Sequence, residues 1–199
     1  MGVRIESITI IWMIIEMAVS IGAGIAARSV LLTAFGLDSL IELVSGSILL
    51  WRFSVESRGE DLKSVKRAER RATWIVAITL SLLCVYVLIS SVYGLLTHAK
   101  PESSILGIGV SAAALVIMPY LAVTKRRISK RIDSAALAAD GTNSITCATM
   151  AGTVLAGLVL NTLFGLWWVE YIAALVFLIW LIRETLETFE EAREDKKEE

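Results

Sequence analysis

Basic residues are missing from most of this chain. Six long stretches contain no lysine or arginine at all, and the 19 basic residues are confined to the segments between and beyond them. Proline occurs only twice, so little interrupts a long helix. Cysteine also occurs twice, and Cys84 and Cys147 fall on different stretches, which excludes a disulfide framework. The single histidine, His98, lies between stretches and is expected in solvent. The net charge of −1 lacks the basic excess that a nucleic-acid partner demands. No segment outside the stretches is long enough to bury a core of its own, which excludes a separate soluble domain.

What remains is apolar. Of 199 residues, 56% are hydrophobic, well above the share in a soluble domain. A bilayer core about 30 Å thick requires roughly 20 helical residues. Six windows meet that length within a few residues: Ile8 to Ala27, Val30 to Trp51, Ala72 to Thr97, Ser104 to Thr124, Ser134 to Leu160 and Leu166 to Ile182. The expected fold is all-α: a polytopic membrane protein of six transmembrane helices. The first window is too long for a signal-peptide core and is read as an uncleaved helix. The six-span domain covers residues 1–183, with loops at about 52–71 and 125–133, and residues 184–199 form a charged tail.

Six spans place both termini on one side, and that side collects 17 of the 19 basic residues. The positive-inside rule therefore predicts cytoplasmic termini. Trp51 and Trp74 at one set of span ends, and Trp167 and Trp168 at the other, suit the interfacial aromatic belts.

Against this background, four acids stand inside spans: Glu16, Asp38, Glu42 and Asp140. Each costs on the order of 2.5–3.5 kcal/mol at a helix centre, so together they oppose insertion by roughly 10 kcal/mol. Glu16 is 12 residues from both Arg4 and Arg28, Asp38 is 10 beyond Arg28, and Asp140 is 9 beyond Arg131. At about 1.5 Å of rise per residue, all three reach the vicinity of the midplane. Residues at i, i+4 and i+7 share a helix face, which aligns Asp38, Glu42 and Ser45 on the second span, and Asp140, Ser144 and Cys147 on the fifth. Asn143 borders the latter face. Carboxylates that converge in a low-dielectric place repel one another, so they either bind a cation or hold protons. Both are the chemistry of a cation–proton exchanger. Glu170, near the outer end of the sixth span, is expected close to water.

The "DSLIE" of residues 38–42, followed by Ser45 and Gly46, and the "ADGTNS" of 139–144 resemble the transmembrane domain of the cation diffusion facilitator, or cation efflux, family. That resemblance implies six spans with cytoplasmic ends, a midplane tetrahedral site built by spans 2 and 5, alternating access, and exchange of a divalent metal for protons. Carried over by position, it nominates Asp38, Glu42 and Asp140 as metal ligands. The chain departs from the pattern at Ala136, where the family has His or Asp, and at Glu42, where it has Asp. The fourth ligand stays open among Ser144, Asn143, Cys147, Glu16 and water. A thiolate would favour Zn²⁺ or Cd²⁺, whereas an oxygen set admits Mn²⁺.

The family usually carries a cytoplasmic metal-sensing α/β domain after the sixth span, where this sequence has the charged residues 184–199. A homodimer held by membrane contacts is the expected assembly. The expected function is export of Zn²⁺, Mn²⁺ or a similar ion by metal/proton antiport in the inner or plasma membrane. The metal is cargo, and no prosthetic group is expected. A proton-coupled organic-cation carrier and a non-transporting metal-binding regulatory protein are the alternatives. A membrane aspartyl protease is disfavoured because Asp38 ("AFGLD") and Asp140 ("LAAD") lack a Gly-x-Gly-Asp context, and no enzymatic activity is expected.

Overall fold

The computed structural model describes the backbone of residues 2–56, 62–132 and 135–194, and side chains outside 1–4, 49–50, 52–72, 131–140, 191 and 194–199. Six helices follow one another: α1 (Gly2–Ala26), α2 (Val30–Glu56), α3 (Leu62–Thr97), α4 (Ile105–Ile132), α5 (Ala135–Phe164) and α6 (Trp167–Glu194). There is no strand among the described residues. By length and composition, α1 to α5 each contain a candidate membrane span. In α6, Glu170 at one end and Arg183 and Glu184 at the other leave only 171–182 free of charge.

The helices outrun the apolar windows. The segments expected as loops at 52–71 and 125–133 are largely helical: α2 continues to Glu56, α3 begins at Leu62, and α4 runs to Ile132. The physical reason is that "TKRRISKRI" contains neither glycine nor proline, and lysine and arginine are good helix formers. A helix emerging from an apolar region therefore has no local cause to stop.

Three short connections meet at the end of the bundle opposite the termini. Each is closed by one residue in the left-handed region: Arg28 (φ 53°), His98 (φ 54°) and Gly165 (φ 64°). The amides of Ser29 and Ala99 donate back to the carbonyls of Gly24 (2.9 Å) and Gly94 (3.1 Å), the long bond of a Schellman closure. The next helices are then capped by serine. Ser29 Oγ accepts from Leu32 N at 3.1 Å and Ser104 Oγ from Gly107 N at 3.0 Å, each satisfying an orphan amide of the first turn. Glu102 N donates to Ala27 O at 2.8 Å and so ties the first connection to the second.

Helix α2 is central, packing on α1, α3, α5 and α6. In lipid the hydrophobic effect contributes little to helix association, so close approach and hydrogen bonds decide it. The α1–α2 crossing depends on two glycines. A Cβ at Gly24 would lie 2.5 Å from Thr33 Oγ1, and one at Gly36 would lie 2.7 Å from Ile21 N. Phe35 of α2 meets Phe177 of α6 edge to face, with ring centroids 6.4 Å apart, and both are fully buried with Leu31, Leu80 and Met150. Large apolar side chains such as Ile11, Leu82, Ile89 and Val116 point outward and exposed, as a lipid-facing surface requires.

Candidate metal centre

Asp38 and Glu42 lie one turn apart on α2 and are both buried. They meet a third acid, Glu184 of α6: each of the three offers a carboxylate oxygen, and these oxygens lie within 4.8 Å of one another. Asp38 Oδ1 and Glu184 Oε2 are buried without a hydrogen-bond partner among the described residues.

Glu42 is held from the opposite side by α5. Asn143 Nδ2 donates to Glu42 Oε1 at 2.9 Å, and the Cys147 thiol donates to Glu42 Oε2 at 2.7 Å. Asn143 and Cys147 are four residues apart, so one face of α5 presents both donors. Together these two bonds fix the carboxyl group's orientation. Ser144, also buried, lines a cavity that opens beside Glu42, whereas Ser45, which shares the α2 face, lines it from an exposed position. Glu16 of α1 is fully buried and accepts from Ser39 Oγ at 2.9 Å. It belongs to the α1–α2 contact rather than to the three-carboxylate cluster. Asp140 lies in α5, but its side chain and that of Ala136 fall outside the described residues.

Glu42 and Glu184 line a cavity of about 590 Å³ whose walls come from the terminal half of the bundle, including Glu6 and Met13 of α1, Thr73 of α3 and Thr188 of α6. It reaches exposed residues at Ser45, Thr142 and Glu187. The cavity leads from the cluster toward the end of the bundle that carries the N-terminus and the end of α6.

Two expectations require correction. Lys125, expected in a basic loop, is instead a fully buried residue of α4 (0% exposed) that lines the cavity, with Nζ 3.6 Å from Glu6 Oε2. The helical continuation of α4 carries it inward, and Glu6 supplies the countercharge. Glu170 was expected close to water, but it is 1% exposed. Asn161 Nδ2 donates to Glu170 Oε2 at 3.0 Å and to Pro101 O at 3.3 Å, and Tyr171 Oη donates to Ala99 O at 3.0 Å. The α3–α4 connection thus lies over the α5–α6 end and shields the acid. His98 is exposed as expected, its ring 5.3 Å from that of Trp167.

Glu184 is the residue that sequence reasoning missed. It stands two residues beyond the last apolar window and next to Arg183, in what reads as the start of a charged tail. A signal was available: Phe177, Leu181 and Glu184 are spaced i, i+4 and i+7, so the inward face of α6 continues past Ile182 into Glu184, Thr185 and Thr188.

Two buried carboxylates and the half-buried Glu184, at the head of an open cavity, can bind a divalent cation through oxygen ligands, with Cys147 as a sulfur donor at the side. The sequence is similar to Transmembrane protein 163 of Xenopus laevis, 27% identical over 123 residues, which is 61% of this chain and 42% of that protein. The chain therefore matches less than half the length of that relative. The family model described as the cation efflux transmembrane domain matches residues 7–195, nearly the entire sequence, and the chain belongs to the cation efflux family.

Proposed function

We propose that this protein carries a divalent metal cation across a membrane in exchange for protons, with Zn²⁺, Mn²⁺ or a similar ion as cargo. The observation that carries this reading is the burial of Asp38 and Glu42 inside the bundle, with a carboxylate oxygen of the half-buried Glu184 within 4.8 Å of theirs. An ionised pair at that separation repels by about 3.5 kcal/mol at an effective dielectric constant near 20. The cluster is therefore tolerable either with a dication at its centre or with protons on its oxygens, and exchange between these two states is antiport.

In the inward-facing state the cavity delivers the ion from the terminal end of the bundle, which the distribution of basic residues assigns to the cytoplasm. The carboxylates lose protons as the ion binds. Helix rearrangement then exposes the same ligands at the opposite end, where the ion leaves and protons return. Asp140, one face-turn before Ser144 and Cys147 on α5, is a further ligand in this proposal. The direction is export, in an inner or plasma membrane.

Flux of Zn²⁺, Mn²⁺, Co²⁺ and Cd²⁺ into proteoliposomes under an imposed pH gradient tests the proposal. Wild-type protein should move at least one of these ions, and Asp38→Ala should not. Transport of organic amines without transport of any metal would favour an organic-cation carrier. Metal binding without flux at any gradient would favour a regulatory, non-transporting protein.

A further inference from the structure

The two oxygens of Glu42 and those of its neighbours are not equivalent. Both Glu42 oxygens already accept hydrogen bonds from α5, from Asn143 and Cys147. The buried acceptors left without a partner among the described residues of the cluster are Asp38 Oδ1 on α2 and Glu184 Oε2 on α6. An anionic oxygen buried without a donor is costly, and here two of them belong to acids whose ligand atoms already lie within 4.8 Å of each other and of Glu42. Their common complement is a small hard or borderline dication, which accepts carboxylate oxygens from separate helices.

We propose that Glu184 is a direct ligand of the transported dication, so that the ion bridges α2 to α6 while α5 orients Glu42 from behind. This inference rests on the cation-transport reading and deepens it. It makes α6 part of the moving machinery: binding draws the inward end of α6 onto α2 at the head of the cavity, and release frees it. Thr185, beside Glu184, contacts the α3 thiol of Cys84 at 3.5 Å, so the same turn of α6 also registers the position of α3. An acid at this place compensates for the absence of a ligand side chain at Ala136.

The test uses the full chain purified in detergent, with Glu184→Gln, Glu184→Asp, Asp38→Asn and the exposed-site control Glu190→Gln. Binding of Mn²⁺, Zn²⁺ and Co²⁺ is measured by calorimetry, the visible absorption of bound Co²⁺ is recorded, and thermal unfolding is followed without added ion. Even partners that only support a ligand typically contribute 10–100-fold to metal affinity. Glu184→Gln should therefore weaken binding by at least ~10-fold and shift the Co²⁺ bands. Without ion it should melt no lower than wild type, because a repulsive charge has been removed. Glu184→Asp should retain part of the affinity, and Glu190→Gln all of it.

Unchanged affinity and an unchanged Co²⁺ spectrum in Glu184→Gln, beside loss of binding in Asp38→Asn, would overturn the role of Glu184 and leave the transport reading intact. Weaker binding accompanied by a lower melting temperature in both Glu184 variants would show a structural role instead, and would also overturn it. Failure of the wild-type protein to bind any of the three ions would overturn both.

Discussion

Replacing Gly36 by alanine should separate α1 from α2 and disturb the carboxylate that follows two residues later. An added Cβ at Gly36 would stand 2.7 Å from Ile21 N and from Ile21 Cγ1, and 2.9 Å from Ser20 Cβ. The obstacle is partly backbone, so rotation of a side chain cannot relieve it. The helices must part by several tenths of an ångström, and overpacking of this kind costs about 1–3 kcal/mol. The intrinsic helix preference of alanine over glycine returns about 0.5–1 kcal/mol, which leaves a net loss of up to about 2.5 kcal/mol. Gly22 is the matched control. It lies on the same helix pair, exposed, with nothing within 4 Å of an added Cβ, so Gly22→Ala should stabilise by the propensity gain alone. The Ser39 to Glu16 bond at 2.9 Å spans the same crossing, and Asp38 rides on the same turn. Gly36→Ala should therefore weaken cation binding as well as stability. Thermal or denaturant unfolding in detergent, with cation titration on the same samples, compares the two variants. Equal stability of Gly36→Ala and Gly22→Ala would refute the packing argument.

Other regions make separate predictions. Asn161→Leu removes a donor from the buried Glu170 and from Pro101 O. It should destabilise the protein by about 1.5–3 kcal/mol, the usual worth of hydrogen bonds to charged groups, as read by denaturant unfolding. Cys147→Ser keeps a donor to Glu42 but removes sulfur, so Mn²⁺ uptake should persist while preference for Cd²⁺ over Mn²⁺ falls about tenfold; competition flux measures the ratio. Cation binding requires ionised carboxylates, so apparent affinity should fall as pH is lowered, by about tenfold per pH unit for each proton displaced. Calorimetry at several pH values, in buffers of different ionisation enthalpy, counts those protons.

The helix count was legible because long apolar windows without basic residues have few other physical explanations. The helix ends were less legible: nothing within a lysine- and arginine-rich turn tells a helix to stop, which is how Lys125 came to be read as part of a loop although it lies buried beside Glu6. The Asp38 and Glu42 pair announced itself through cost, since two uncompensated acids within a span demand a reason. The companion donors Asn143 and Cys147 were visible as a neighbouring pair on α5 but not as bonded to Glu42, because the sequence does not specify the rotation of one helix against another. Glu184 was hidden by context. Beside Arg183 and shortly before Glu187, it resembles ordinary solvated charge, and only the packing of α6 on α2 turns it inward. The shielding of Glu170 was invisible for a related reason: Asn161 and Tyr171 hold the α3–α4 connection beside it through the carbonyls of Pro101 and Ala99, and no sequence pattern records the positions of those carbonyls.

In the proposed antiport cycle the counter-charge of the buried carboxylates alternates between cargo and protons. Recording metal and proton movement together in proteoliposomes, with a metal-sensitive dye and a pH-sensitive dye in the same lumen, follows that exchange. Inward movement of the transported ion should be accompanied by loss of protons from the lumen, with both signals abolished together in Asp38→Asn. Metal entry that continues with no proton movement once the membrane potential is clamped, or flux that survives unchanged in Asp38→Asn, would contradict it.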